Sequence, residues 1–465
     1  MRKFKFSRQL LIAAFALPLL ATAQTNINIT VNGLEASEVL LGYYLAEQKY
    51  VEDTLTVGPG GEVVLNYEES LRPGLYFLFA DPFYQEFVIN EPSFSLTMGR
   101  EGFKTFDPVG SPENELFKRF QLEGAEIQIK RNELMQQLQG LSGEDSLQLV
   151  TQIQDLREQG VASRSALVTE NPDLLISKML TLMQPIEFKE FPEIADERER
   201  KIASYLDYRE QFKQRLDFTE TGLLRTPVFK TNVIKYFRDV VRPQVPDTLN
   251  AEIDEVLATV KDDQVSFRYW LVTLLDFYQA SKTMGHDAVL VHILEKYYLS
   301  GAADWMEEEG LNKMREEVAF LKPNLIGQPA PALNLLDTLM SPVNVLNLPD
   351  DFLVLFFYDP DCGVCKKKTP LLLDAYYDLK DLGAEVVAVC VPTDIERWKE
   401  YINEGQLDWI NLADPFRRSN FRAEYDVRSF PRVFVLDKNR KIIAKRLAVE
   451  QLVGFITDYK RQAMP

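Results

Sequence analysis

Beyond residue 23 the chain alternates apolar and polar positions with period two. In Asn26-Ile27-Asn28-Ile29-Thr30-Val31 every second side chain faces the same way, the pattern of a half-buried strand. The same reading predicts short strands over 39–44, 54–57, 63–67, 76–79 and 86–89. Gly58-Pro59-Gly60-Gly61 and Arg72-Pro73-Gly74 stand between them as turns. Aromatic residues are dense here, among them Tyr43, Tyr44, Tyr76, Phe77 and Tyr84. Strands favour such residues, so a sandwich core is the first reading and an aromatic ligand groove the second. Residues 24–108 are therefore read as a β-rich, sandwich-like domain.

The period then shifts to that of a helix. Ser111-Pro112-Glu113 supplies a capping hydroxyl, a proline at the first helical position and an acid in the first turn. Leu116, Phe117, Phe120, Ile127, Leu134 and Leu138 follow at roughly helical spacing. Asn171-Pro172, Thr226-Pro227 and the prolines at 243 and 246 break later helices. Helical patterns resume over 249–257, 267–281, 288–298 and 304–320, and no fixed repeat runs through them. Residues 109–321 are read as a central all-α domain. The two histidines, His286 and His292, are six apart, which does not put them on one helix face as metal ligands.

Residues 322–465 change character again. Pro323, Gly327, Pro329 and Pro331 form an entry turn. A continuous apolar run over 352–358 (FLVLFFY) reads as a central strand covered on both faces. A helix over 362–382, a buried strand over 385–391 and a helix over 394–404 follow. Residues 432–437 and 442–447 flank a turn as a hairpin, and a helix over 449–460 closes the chain. This is a compact α/β layer domain.

Net charge is −18, and Gly, Pro and charged fractions are ordinary, so the chain is neither disordered nor of low complexity. Residues 1–23 begin with Arg2, Lys3, Lys5 and Arg8, run apolar over 10–20 and end in Ala21-Thr22-Ala23. That is the pattern of a secretory signal peptide cleaved near Gln24, leading to the periplasm or cell envelope. Without this leader 48 basic residues face 70 acidic ones, a net −22. So acidic a chain argues against nucleic acid or anionic lipid as a partner, since both need basic patches. No later stretch reaches 18 apolar residues, so no transmembrane segment is expected in the mature chain.

Three cysteines are present, and two of them, in Cys362-Gly363-Val364-Cys365, sit where the apolar strand meets the long helix. A thiol at a helix N-terminus faces unpaired N–H groups and the positive end of the dipole, which favours thiolate. The second thiol is one turn on, within disulfide reach. Lys366, Lys367 and Lys368 add positive potential. A zinc site would need about four ligands, and a structural disulfide across three residues closes too small a loop to stabilise much. Redox exchange is the favoured reading, with those two as alternatives. Cys390, within Val387-Ala388-Val389-Cys390-Val391, reads as a buried inert thiol.

Residues 325–465 resemble the thioredoxin fold in its exported TlpA/ResA-like branch. The likeness rests on Gly327-Gln328-Pro329-Ala330-Pro331, the strand entering Cys362-Gly363-Val364-Cys365, Lys366, Pro370 within the helix, and Phe430-Pro431 before a strand. The resemblance implies that Cys362 attacks, Cys365 resolves, and a cis Pro431 lies against the pair. It implies that the backbone at Phe430 pairs with an extended substrate segment. Asp361, Lys366 and Lys368 would form the thiolate environment.

The chain also departs from the family. Asp361 stands where a tryptophan is usual, Phe356 replaces the buried acid, and Lys368 replaces the glutamate of the ResA-like branch. Asp359 or Asp361 could take over as proton acceptor, though solvated loop acids are the plainer reading. The expected protein is a multidomain periplasmic thiol-disulfide oxidoreductase, reductant or isomerase. It would need no cofactor beyond the Cys362–Cys365 disulfide, would act on protein dithiols and disulfides, and would draw electrons from a membrane-embedded donor. The alternative is an envelope binding protein whose β and helical domains hold a peptide, glycan or protein, with a non-catalytic cysteine pair.

Overall fold

The computed structural model describes residues 24–463, so the leader read over 1–23 lies outside the described residues. The chain forms two compact units, Met1–Val240 and Val241–Pro465.

The first unit opens with eight strands: β1 (Thr25–Val31), β2 (Glu38–Leu45), β3 (Gln48–Thr56), β4 (Glu62–Tyr67), β5 (Gly74–Ala80), β6 (Phe83–Ile89), β7 (Ser93–Met98) and β8 (Asp107–Val109). They make two four-stranded sheets, ordered β4-β1-β7-β8 and β3-β2-β5-β6. In β1 the buried Ile27, Ile29 and Val31 alternate with polar neighbours, as the sequence pattern requires. These residues meet Leu41, Leu78 and Phe87 of the other sheet in one core, so the architecture is a β-sandwich. The strands differ from the sequence reading at β3, β7 and β8, the last a three-residue partner of β7 with no apolar pattern of its own. β3 runs over nine residues and not four, because it is an edge partner of β2 whose side chains are mostly exposed and leave no apolar signature. β7 was not predicted. It pairs in parallel with β1 and contributes Phe94, Leu96 and Met98 to the core, a long-range pairing without local signature.

Five helices follow: α1 (Pro112–Leu138), α2 (Glu144–Glu170), α3 (Leu175–Leu182), α4 (Glu197–Gln214) and α5 (Phe229–Lys235). Ser111 caps α1, its hydroxyl accepting from the Asn114 N–H at 3.2 Å. α2 packs back along α1. The carboxylate of Glu113, in the first turn of α1, accepts from the N–H groups of Leu175 (2.7 Å) and Ile176 (2.9 Å), and from Asn90. It thereby caps α3 with a negative charge at the positive end of its dipole. Burial raises its pKa against these three donors, and burial prevails.

The second unit begins with α6 (Pro246–Val260), α7 (Gln264–Gln279), α8 (His286–Ile293) and α9 (Glu308–Leu321). The helix read as 288–298 is interrupted, because residues Leu294–Tyr298 wind as a π turn. His286 and His292 meet Ser281 and Asp254, each at 2.8 Å. Next come β9 (Asn334–Leu336), β10 (Pro342–Asn344), β11 (Phe352–Tyr358), α10 (Gly363–Asp381), β12 (Ala384–Cys390), α11 (Ile395–Gly405), β13 (Ile410–Ala413), α12 (Phe421–Glu424), β14 (Arg432–Leu436), β15 (Ile442–Lys445) and α13 (Leu452–Ala463). The strands form one sheet ordered β10-β9-β13-β12-β11-β14-β15. β11, β12 and β13 are parallel, and β14 runs antiparallel to β11. All seven residues of β11 are buried, as expected of a strand covered on both faces.

The helices of this unit are anchored to its sheet by buried charge. Lys445 of β15 is 3% exposed. Its ammonium pairs with Asp287 of α8 and donates to the backbone and side-chain oxygens of Asn324, each at 2.9 Å. A buried lysine without such partners would be strongly destabilising.

Candidate functional site

β11 delivers the chain to a tight turn, Asp359-Pro360-Asp361, and then to α10. The Asp359 carboxylate accepts from the Asp361 N–H at 2.8 Å, and the Asp359 carbonyl accepts from the Cys362 N–H at 3.1 Å. This turn fixes Cys362 as the N-cap of α10, with extended backbone (φ −67°, ψ 120°). Cys362 is half-buried, whereas Cys365, one turn on, has no exposed surface. The Phe430–Pro431 peptide is cis. It lies against the pair: the Cys362 Sγ is 4.0 Å from the Phe430 carbonyl oxygen. Phe430 and Pro431 are both half-buried, and Val364, between the cysteines, is 52% exposed. The Cys362 thiol, the cis proline and the exposed Val364 therefore lie close together.

The two thiols are electrostatically distinct. Partial burial pushes the Cys362 pKa up, but hydrogen bonds from the Cys365 and Val364 N–H groups and from the Cys365 thiol outweigh it. The net result is a thiol more acidic than usual, as the orphan donors of a helix N-terminus dictate. Cys365 is pushed up to about 12, first by burial and then by the neighbouring Cys362 sulfur and the Asp359 charge. Cys390 is also raised, chiefly by burial. An acidified thiol and a protonated one thus stand side by side.

The charged residues assigned to the thiolate environment are placed differently from one another. Asp361 is exposed and pairs with the Arg397 Nε at 3.2 Å and the Lys366 Nζ at 3.6 Å. The Arg397 bond, more than Lys366, holds its carboxyl below the ordinary range. Lys366 is therefore engaged by Asp361. Lys368 lies on the side of α10 that faces the last helical segment, and its ammonium pairs with Glu450. The lowering of Cys362 comes first from backbone donors and the partner thiol, and the Lys368 ammonium is engaged by Glu450. Of the two aspartates, Asp359 is the half-buried one, and its charge acts on all three thiols.

Sequence reasoning missed the charge cluster behind the cis-proline loop. The Asp426 carboxylate is 3% exposed and binds Arg428, Arg432 at 3.0 Å and Arg446 at 3.2 Å. Arg428 also forks onto Glu317 of α9 and lies over the Phe320 ring at 4.5 Å. These residues flank Phe430-Pro431 on both sides. Glu317 is over a hundred positions upstream, so no local pattern could announce it. Among the described residues no group of three or more His, Cys, Asp or Glu side chains is arranged to hold a metal ion.

Residues 325–453 match the family model described as Redoxin. The thiol-disulfide oxidoreductase ResA of Bacillus anthracis is 23% identical over 176 residues, which cover 37% of this chain and 97% of that protein. Nucleoredoxin of Xenopus laevis is 27% identical over 107 residues, 23% of this chain, and the chain spans only 26% of nucleoredoxin's length. The thioredoxin domain of a thiol-disulfide oxidoreductase from Bacteroides vulgatus is similar at 26% identity, covering 29% of this chain and 96% of that one, with a TM-score of 0.28. Among the described residues no helix is long and apolar enough to cross a membrane.

Proposed function

The C-terminal region is a redoxin domain of the TlpA/ResA-like, thioredoxin-fold type, and on that premise we propose that this chain is an exported thiol-disulfide oxidoreductase working through Cys362 and Cys365. The observation that carries the reading is the asymmetry of the pair: a half-exposed thiol of lowered pKa at the N-cap of α10 beside a buried thiol raised to about 12.

The Cys362 thiolate attacks one sulfur of a substrate disulfide. The substrate S–S bond breaks, and the leaving sulfur departs as a thiolate that takes a proton from solvent. Cys365 then gives up its proton, with Asp359 the half-buried carboxylate nearest in influence, and attacks the Cys362 sulfur. The mixed disulfide breaks, the second substrate thiol leaves, and the Cys362–Cys365 disulfide holds the oxidation. Two electrons have passed to the substrate. The Phe430 backbone beside cis-Pro431 is suited to bind an extended substrate segment by strand addition. A middle dipeptide without histidine favours a reductant or isomerase over a strong oxidant. The cycle needs a dithiol donor, and the basic, apolar leader supports a periplasmic setting with a membrane-embedded one.

The test is reduction of a protein disulfide with dithiothreitol as donor. Cys362→Ser should abolish turnover, and Cys365→Ser should accumulate the mixed disulfide. Full activity in Cys362→Ser would discard this reading and leave the binding-protein alternative.

A further inference from the structure

The helical part of the first unit holds a cationic cavity that disulfide exchange does not use. It measures about 810 Å³ and lies between α2, α4, α5 and the end of α3. Arg157, Arg164, Arg215 and Lys235 all border it. A second cavity of about 570 Å³, between α1 and α2, shares Gln154, Arg157 and Arg164 with the first. It adds Arg131 and a wall of Ile127, Met135, Ile153 and Leu156. Glu158 is the only carboxylate among the residues bordering either cavity. In a chain of net charge −18, five cations against one acid is a local reversal of sign.

The arginines here lack the partners that arginines elsewhere in this chain possess. Arg432 and Arg225 are likewise half-buried, and they pair with Asp426 and Glu52. Arg215 spends its donors on carbonyls at and just beyond the end of α3, Gln184 at 2.8 Å and Pro185 at 3.2 Å, and among the described residues no carboxylate meets it. Arg164 meets none either, and its buried Nε has no hydrogen-bond partner. A desolvated donor left unpaired is costly, and an anionic oxygen relieves that cost. Arg157 and Arg164 stand where the two cavities meet, so one negative headgroup there would reach both. The apolar wall between α1 and α2 then begins immediately beside it.

We propose that this pair of cavities binds a single-chain amphiphilic anion, with its headgroup at Arg157 and Arg164 and its alkyl chain in the slot between α1 and α2. Each of the two cavities, about 810 and 570 Å³, has the volume of a small-molecule site. The chemistry of recognition is a carboxylate or phosphate on an aliphatic chain, with decyl chains as the probe.

The experiment is isothermal titration of the mature chain with monomeric decanoate and with decyl phosphate, and decanol as the uncharged control. Saturable one-to-one binding of at least one of the two anions is expected, together with weakening as salt rises and no comparable binding of decanol. Which anion binds more tightly identifies the headgroup. Arg164→Gln should weaken binding about tenfold or more, the scale of one charge-assisted hydrogen bond. Lys130→Gln, on the exposed side of α1 and paired with Glu126, should not weaken it. If Arg164→Gln alters the thermal melt, Arg157→Gln takes its place. No saturable binding of either anion, equal binding of decanol, or equal weakening by Lys130→Gln would overturn the proposal.

Discussion

Asp426→Asn separates the charge at the base of the cis-proline loop from the backbone that carries it. Asp426 has a left-handed backbone (φ 48°), which asparagine also adopts readily, so the substitution removes charge with little conformational penalty. The carboxylate is 3% exposed and neutralises three guanidiniums, one of which, on Arg432, is only 13% exposed. Removing one partner of a buried ion pair costs about 3–5 kcal/mol. Two contacts survive the change. Arg428 keeps Glu317, with Nη2 at 3.0 Å from Oε1, and the Arg432 Nε keeps the carbonyl of residue 426 at 3.1 Å. The lower end, about 3 kcal/mol, is therefore expected. With an m-value of about 2–3 kcal/mol/M, the urea midpoint of the second unit should fall by roughly 1 M. Trp398 and Trp409, both buried in this unit's core, report that transition by fluorescence. Under the proposed function, in which the loop presents Phe430 and Cys362 supplies the chemistry, the same variant should raise KM for a protein disulfide more than it lowers kcat. A midpoint shift under roughly 0.3 M with unchanged KM would refute the role given to this cluster.

Three further outcomes rest on the electrostatics and capping. Alkylation of the reduced protein should modify Cys362 alone, with a rate midpoint below that of a free thiol (about 8.5), while Cys365 stays protonated until about pH 12. Asp359→Asn should move the Cys362 midpoint lower still, because its charge opposes thiolate, and mass spectrometry of the labelled peptide reads both effects. Glu113→Ala strips the cap from α3 and leaves the Leu175 and Ile176 N–H groups without their acceptors. A loss of about 2–4 kcal/mol in chemical denaturation is expected, and a loss below about 1 kcal/mol would show that water replaces the carboxylate.

Much of this architecture could be read from the chain because it depends on local periodicity. The alternation in β1, the capped start of α1 and the wholly apolar β11 each declare their element, since a buried face must be apolar at the period of the element that carries it. The same logic placed Cys362 at an N-cap, because a strand running into a cysteine at the start of a helix leaves that cysteine at the helix start. The elements that escaped are those whose stability comes from distant partners. β7 is held by β1, some 67 residues earlier in register. β13 has only four residues and is stabilised between β12 and β9.

The sequence by itself determined which thiols could be redox partners, that a proline loop would accompany them, and that the chain combines β, helical and α/β regions. Tertiary structure decided how the thiols differ. The approach of Phe430 to Cys362 spans 68 positions and the Glu317–Arg428 fork spans 111. The sequence can name the charges at 361, 366 and 368, but only folding shows that Asp361 serves Arg397 and Lys368 serves Glu450. The reason is physical: hydrogen-bond periodicity acts over one turn or one strand pair and is written locally. Desolvation and charge pairing depend on which surfaces meet, and that is set only when the whole unit packs.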